Sequence, residues 1–470
     1  MIDSTHPRYD DKVNTYRKID DITRAKNLAQ YLVYLNPQDT TDDNKTRNRQ
    51  YAERAIFYAL SGQTVQGMVG SIFRKWPQFI KPDGMDYLET NADGAGVSIY
   101  QQSQGVTEDV ISKGRAGIGV SFPQTEGQVS RQDLTSGRVV ATIHRFEPEQ
   151  IINWRTIRDG SKVKLSLVVI LEEHQEVKDD GYQTEFVPRI REMYLDYPRD
   201  DEGLPTSDIM IYNERIWDKS PGHWQIIEAY QPTDAAGRNW EEIPFTFVGA
   251  ENNDPDPDHP PMLGIVELNI GHYRNSADYE DNVFYCGQAQ PWMSGLTQDH
   301  INLLKENNLY VGSRNLIGVP EGEQFGFAQA QPNAQVKEAM QNKVDMMVSL
   351  GARMMQQGSA TKTAAQVEGE REAQTSVLAL AASNVSEAYT QAVAWACRYM
   401  GESTEEVEYT LNQEFLAITA DPQTAQAMMQ GFMQGSVPLP DYVRWMKKAD
   451  LFDEERSMED YADLLGGSVE

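Results

Sequence analysis

Leu165-Ser166-Leu167-Val168-Val169-Ile170-Leu171 is the longest nearly unbroken apolar stretch of the chain. It is far shorter than the roughly 20 apolar residues that a bilayer-crossing helix needs. Its β-branched content reads as a buried strand. Similar short runs surround it: Val139-Val140-Ala141-Thr142-Ile143 before it, then 190–197, 209–216, 224–230 and Phe245-Thr246-Phe247-Val248 after it. Asp179-Asp180-Gly181 and Asp200-Asp201-Glu202-Gly203 separate them as turns. Arg189-Ile190-Arg191-Glu192-Met193-Tyr194-Leu195-Asp196 partly alternates, as a half-buried strand does. The simplest arrangement is an antiparallel sheet flanked by helices, an α+β class.

Upstream, Ile19, Ile22, Leu28, Leu32 and Leu35 recur at roughly helical spacing until Pro37. A second helix is expected over 46–61, with Tyr51, Ala55, Tyr58 and Ala59 on one face. Residues 64–73, punctuated by Gly67 and Gly70, read as a closely packed helix or helix end. Downstream, 252–261 sets four prolines among acids and reads as a boundary. A helix over 264–284 follows, its face interrupted by Glu267, His272, Arg274, Asp278 and Asp281. Segment 288–334 mixes helix and strand signals and contains five glycines: Gly295, Gly312, Gly318, Gly322 and Gly326. A helix over 334–355 places Val336, Met340, Val344, Val348 and Met355 on one face, and 356–362 is a polar break. From 363 to 400 a long Ala-rich helix keeps Leu378, Ala381, Val385, Tyr389, Val393 and Ala396 at i+3/i+4 spacing, with Gly401 as its stop. In the tail, Val407-Glu408-Tyr409-Thr410-Leu411 is a candidate strand. Three short helices follow, around Met428 and Phe432, around Tyr442 and Trp445, and around Met458 and Tyr461.

The 470 residues carry 42 Lys+Arg against 71 Asp+Glu, a formal charge of −29. A pI near 4.6 argues against a surface that grips nucleic acid by neutralising phosphates. The charge is uneven: +3 over 1–75, −1 over 76–171, −15 over 172–262, −5 over 263–400 and −11 over 401–470. The acidic segments read either as solvated faces or as faces turned to a polyanion that must not stick. Met1 to Arg8 has no apolar stretch after its charges, so no secretory signal is expected. Two cysteines, Cys286 and Cys397, make neither a disulfide framework nor a zinc site, and a reducing compartment is expected. Gly62 and Gly67 have phosphate-loop spacing, but Met68 stands where Lys is required. Gly114-Arg115-Ala116-Gly117-Ile118-Gly119 has its glycines in the wrong order for a dinucleotide fingerprint and reads as tight packing before a strand. Asp254-Pro255-Asp256-Pro257-Asp258 begins like a calcium loop, but His259 and Ile265 replace the required Gly and Glu. Ser359 and Lys362 form an S-x-x-K string without its companion motifs. No metal, cofactor or catalytic centre is expected, and the chain does not read as an enzyme.

The order of these elements, together with several strings, resembles the portal (head–tail connector) proteins of tailed bacteriophages. The strings are Gly67-Met68-Val69-Gly70-Ser71-Ile72-Phe73-Arg74-Lys75-Trp76-Pro77, Asn91-Ala92-Asp93-Gly94-Ala95-Gly96, Gly114-Arg115-Ala116-Gly117, Ile151-Ile152-Asn153-Trp154-Arg155 and Ile243-Pro244-Phe245. They continue with Leu268-Asn269-Ile270-Gly271-His272-Tyr273-Arg274-Asn275-Ser276-Ala277-Asp278-Tyr279 and with Leu350-Gly351-Ala352-Arg353-Met354 leading to Thr363-Ala364-Ala365. The resemblance spans most of 50–400 and rests on the order of the strings. It implies an α+β portal fold: a mixed helical and antiparallel-sheet wing (1–262), a stem helix (263–287), a small α/β clip (288–334) and a second stem helix (335–350). A tunnel loop (351–362), a long kinked helix with the rest of the wing (363–420) and a helical crown (421–470) complete it.

The resemblance further implies a dodecameric ring at one capsid vertex, assembled in the host cytoplasm. The ring is a passive channel for double-stranded DNA during packaging and ejection, and it docks terminase and later tail or adaptor proteins, with capsid and scaffold as further partners. On it Arg353, Gln356, Gln357 and Lys362 are expected at the DNA, and Glu267, Asp278 and Asp281 toward the lumen. Trp292, Met293, Leu296 and Tyr310 are expected as partner anchors on the clip, or as the clip's own core. The competing readings are another virion structural protein, such as an adaptor or capsid component, and a soluble acid-rich hydrolase.

Overall fold

A computed structural model describes residues 1–34, 36–123, 139–178, 180–200, 202, 204–220, 223–287, 289–295, 297–299, 301–302, 322, 324–328, 334–355, 376–413, 422–448, 452 and 456–465. The fold is mixed α/β with antiparallel sheets. Helices α1 (Pro7–Thr23), α2 (Asp42–Arg54) and α3 (Leu60–Ile72) precede a short strand β1 (Gln78–Ile80) and helix α4 (Ile99–Lys113). The Ser98 hydroxyl accepts from the Gln101 N–H while the Gln101 side chain accepts from the Ser98 N–H, so α4 opens on a reciprocal cap. It closes at Gly114, with φ +75°, where a side chain would meet the His259 carbonyl oxygen at 3.0 Å. Strands β2 (Arg115–Ser121), β3 (Thr142–Phe146) and β9 (Phe245–Gly249) form a sheet in the order β3-β2-β9. Gly117 and Gly119 therefore lie within a strand, not before one. A Cβ at Gly117 would sit 2.6 Å from Phe245 Cζ and 2.7 Å from Ile151 Cδ1, so only glycine lets this strand pass beneath those side chains.

Between β3 and β9 runs a five-stranded antiparallel meander: β4 (Ile151–Asp159), β5 (Lys162–Val177), β6 (Thr184–Asp196), β7 (Ile211–Ser220) and β8 (His223–Tyr230). Val168, Val169 and Ile170 form its buried centre, as the apolar run predicts. The strand expected over 139–143 begins instead at Thr142. The Ala141 carbonyl accepts from the Tyr87 hydroxyl at 2.7 Å and its N–H reaches Met400 Sδ at 3.4 Å, which holds that residue out of the ladder. Charged residues cross the sheet in pairs. Arg191 binds Glu172 at 2.7 Å and also Glu214, Arg189 binds Asp218 at 2.7 Å, and the Trp217 indole N–H donates to Glu192 at 3.0 Å.

The remaining long helices are α5 (Leu263–Cys286), α6 (Ala334–Met355) and α7 (Val377–Met400). All six residues expected on the apolar face of α7 are buried, and the helix runs through the main core from the Ser376 cap to Gly401. On α6 the packed face is Val344, Met347, Leu350 and Met354, while Val348, expected there, is turned to solvent. The helix covers 334–355, as the residue pattern predicts, and so includes 351–355, which the resemblance assigns to the loop after it. Residues 356–375 lie outside the described residues. Strand β12 (Glu408–Thr410) pairs with β1. Helices α8 (Pro422–Met433), α9 (Leu439–Lys448) and α10 (Met458–Leu465) close a small core of Leu439, Val443 and Tyr461.

Two helical expectations are corrected. The first helix stops at Thr23 because Ala25 and Asn27 adopt positive φ, and the Asp21 carboxylate collects Asn27, Gln30 and the Tyr31 hydroxyl. The helix expected over 46–61 divides into α2 and α3, and residues 55–59 run as a strap between them. The strap's polar backbone is satisfied by α5. The Asn269 side chain accepts from the Ser61 N–H at 3.0 Å and donates to the Tyr58 carbonyl at 2.9 Å, and the Ser276 hydroxyl donates to the Ile56 carbonyl at 2.6 Å. Ala59, the residue just before α3, has no side chain able to cap it, so Asn269 supplies that cap from another helix.

Candidate functional site

Helices α5 and α6 lie antiparallel. Gly264 faces Leu350, and Gly271 faces Lys343, whose Cε a Cβ at 271 would meet at 3.0 Å. The Lys343 ammonium bridges the pair, donating to Asn275 Oδ1 at 2.7 Å and to the Ala339 carbonyl on its own helix at 3.4 Å. At about 1.5 Å per residue the two helices are some 33–36 Å long. The first half of α5 is buried in the body, while Val283, Phe284 and Tyr285 near its far end are exposed. Beyond that end, strands β10 (Gln290–Ser294) and β11 (Gln324–Ala328) form an antiparallel hairpin-like pair.

The residues singled out from sequence fall in several places. Glu267, Asp278 and Asp281, expected toward a lumen, are each engaged by the chain's own N-terminal helices. Lys18 binds Glu267 at 2.7 Å, the Tyr51 hydroxyl donates to Asp278 at 2.7 Å, and Arg54 binds Asp281 at 3.0 Å with Arg47 as a second partner. Both arginines also cover the end of α5: Arg54 lies 3.7 Å above the Phe284 ring and Arg47 4.9 Å above that of Tyr285. Burial, then the Asp278 bond, pushes the Tyr51 hydroxyl well above its ordinary range. Arg274, the cation among these acids, donates to the Tyr31 carbonyl at 2.8 Å. This clamp of α2 on α5 is invisible in the sequence, because 227 to 234 residues separate the partners.

Arg353 is exposed in the last turn of α6, where a cation meets the negative end of the helix dipole. Gln356, Gln357 and Lys362 lie outside the described residues, as do Leu296 and Tyr310. Trp292 opposes Gly326 across the β10–β11 pair, and its ring atoms stand 3.0 Å from where a Gly326 side chain would begin. Met293 opposes Phe325. Trp292 thus covers its own hairpin while 42% of it stays exposed, as does 56% of Phe327.

A cavity of about 590 Å3 opens between the body and the sheet, lined by His144, Arg145, Glu149, Glu172 and Arg191 among others. Its charged groups other than Glu173 are already paired. Arg145 binds Asp109 at 2.6 Å, Glu149 binds Lys113 at 2.8 Å, and Arg191 binds Glu172. Burial, then Arg191, holds His144 below its ordinary pKa. Among the described residues no three metal-ligating side chains gather, and no helix is long and apolar enough to cross a membrane.

Residues 261–400, which hold α5, the β10–β11 pair, α6 and α7, match a family described as a domain of unknown function, DUF4055. No curated protein matches the chain in sequence. Among solved structures the chain is similar to one from the neck of an empty GTA particle, at 13% identity and a TM-score of 0.40, covering 93% of this chain and 95% of that one. It is also similar to one from the virion of a native gene transfer agent particle, at 13% identity and a TM-score of 0.39, covering 87% and 90%.

Proposed function

We propose that the chain is the subunit of a portal ring, a passive channel for double-stranded DNA at one vertex of a phage-like capsid. The observation that carries this reading is the pair of long antiparallel helices. They leave the body together and end in exposed Val283, Phe284, Tyr285, Trp292 and Phe327. A lone soluble chain rarely exposes so much apolar surface at one end, and neighbouring copies would cover it. The sequence resemblance, which implies a stem and a clip over these parts of the chain, supports it.

In this ring α6 supplies the channel wall. Its solvent side carries Lys337, Glu338, Gln341, Asn342, Asp345, Ser349 and Arg353 with the exposed Met346 and Val348 among them, a surface of nearly balanced charge. Such a wall suits a conduit. Each phosphate neutralised by a fixed cation tethers the DNA, and six to ten such contacts change affinity by about 10³–10⁵ over a modest rise in salt. Arg353, with Gln356, Gln357 and Lys362 after it, provides a sparse set of contacts that centre DNA without holding it. The chain supplies no ATP hydrolysis of its own on this reading. A terminase docks at the β10–β11 end and is replaced there by tail or adaptor proteins.

The test is native mass spectrometry together with negative-stain imaging of the purified protein. Twelve copies of the 53.1 kDa chain give a ring of about 640 kDa with a central hole. A monomer or a closed hexamer refutes the reading and favours another structural component of a virion.

A further inference from the structure

The five-stranded sheet has two overhanging ends. Pairing of β4 with β5 stops at Ile151–Ile170, and pairing of β6 with β7 stops at Arg189–Asp218. From there outward, β5 and β6 continue as a two-stranded ribbon that turns around 178–183. At the other end, β5 pairs with β6 only from Leu167 onward, so the β4–β5 hairpin has no third strand beside it there; Ile157 and Leu165 hold one face on the main core and the other face stays open. Two-stranded ribbons are marginal in water unless something packs on them.

The two overhangs differ in charge. Residues 172–188 carry six acids and one lysine, net −5, and the ribbon exposes Val177 (61%), Tyr182 (93%) and Phe186 (64%). Residues 155–164 carry Arg155, Arg158, Lys162 and Lys164 against Asp159, net +3, and expose Val163 (60%). Lys164 pairs with Asp159 at 2.8 Å, which leaves Arg155, Arg158 and Lys162 as the excess. The exposed apolar residues at each end therefore sit within opposite charge.

We propose that the acidic ribbon of one copy docks on the basic β4–β5 hairpin of a second copy of this chain. The proposal rests on the ring reading and adds the surface that closes the ring. The two overhangs lie at opposite ends of one strand of 16 residues, about 53 Å long, so one copy cannot satisfy both. The contact is then heterologous, a head-to-tail arrangement that builds rings, in contrast to a two-fold dimer. Its charged part weakens as salt rises.

The experiment uses the full chain with Cys286→Ser, adding Val163→Cys and Phe186→Cys singly and together, treated with a short bis-maleimide and run beside native mass measurements. The expected result is a ladder of covalent multimers beyond the dimer from the double variant and none from either single one. Arg158→Glu with Lys162→Glu is expected to shift the assembly to smaller masses. Adding Glu173→Lys and Glu176→Lys to that chain restores the full mass. A full-mass ring that gives no ladder and ignores the charge reversal overturns the proposal and leaves the ring reading standing. Covalent dimers alone overturn it in favour of a two-fold contact. A wild-type chain that stays at 53.1 kDa at high concentration overturns the ring reading itself, and this contact with it.

Discussion

Replacing Asn269 tests how the long helix α5 is anchored to the body. Its side chain, fully buried, satisfies two backbone groups at once: the Ser61 N–H at 3.0 Å and the Tyr58 carbonyl at 2.9 Å. In Asn269→Ala the buried Ser61 N–H loses this acceptor, while the Tyr58 carbonyl loses one donor and keeps the Leu60 N–H at 2.8 Å. The orphaned N–H costs about 1–3 kcal/mol and the lost bond to the carbonyl about 1 kcal/mol more, so the expected loss is about 2–4 kcal/mol, concentrated at the strap 55–59 and the first turn of α3. Asn269→Asp separates the two bonds, because a carboxylate still accepts from Ser61 but cannot donate to Tyr58. Its loss should not be smaller than one bond. The chain is too long for a single unfolding free energy to be well defined, so the readout is local hydrogen exchange of amides 58–64. A loss of about 3 kcal/mol corresponds to roughly a hundredfold faster exchange there. Amides in α9 serve as the unaffected control. If both variants exchange like wild type at 58–64, the strap is held by something other than Asn269, and the account of why residues 46–61 form two helices fails.

Other outcomes follow from the packing. Lys113, 1% exposed, sits among Asp20, Asp109, Glu147 and Glu149, with Arg24 and Arg145 as the other cations. Lys113→Met removes the central cation and should cost about 3–5 kcal/mol near pH 7.5, read as faster hydrogen exchange of the amides of α4. Burial raises Asp109 to about 7 against the pull of Arg145 and Lys113, so what its protonated form contributes to stability is lost as pH rises through that value. The Lys113→Met penalty should therefore be larger at pH 8 than at pH 5, and an equal penalty at both would refute the assignment. Gly117→Ala pushes a methyl against Phe245 and Ile151 and should cost about 1–3 kcal/mol, read as faster hydrogen exchange of the β2 amides, with Phe245→Leu recovering part of the loss in the double variant. Burial, then Glu402, raises the Cys397 thiol to about 11, whereas Cys286 is half-buried at the end of α5. A thiol reagent at pH 8 should label one cysteine per folded chain quickly, and peptide mapping should find it at Cys286.

Periodicity carried much of the fold and little of the site. The α7 stripe and the Leu165–Leu171 run could be read because their burial follows from local pattern alone: one face of a helix and both faces of a strand. The break at 55–59 could not. Tyr51, Ala55, Tyr58 and Ala59 keep a helical period, and what interrupts it is a pair of polar side chains more than 200 residues away. β2 was hidden for the opposite reason, since its glycines read as tight packing before a strand until Phe245 and Ile151 lie over Gly117. The acids on α5 illustrate the limit for function. Sequence places Glu267, Asp278 and Asp281 on a charged stripe, but cannot tell whether the stripe faces solvent or α1 and α2, and in the structure it faces those helices.

That placement changes what the net charge of −29 means for a DNA channel. Repulsion of phosphates by an acidic wall would need carboxylates free of fixed partners within a Debye length of about 8 Å of the DNA. The α5 acids are held by Lys18, Arg47, Arg54 and Tyr51, and in the sheet Arg189, Arg191 and Arg215 match Asp218, Glu172, Glu214 and Glu192 across strands. The helix left to face a channel, α6, has three cations against two acids. In the ring we propose, smooth passage then comes from a scarcity of fixed charge along the wall more than from an excess of negative charge. The two explanations separate in one measurement. Under the first, Glu338→Gln with Asp345→Gln should strongly increase DNA retention. Under the second, Gln341→Lys with Asn342→Lys should do so far more, because each added cation creates a new phosphate contact whose strength falls with salt.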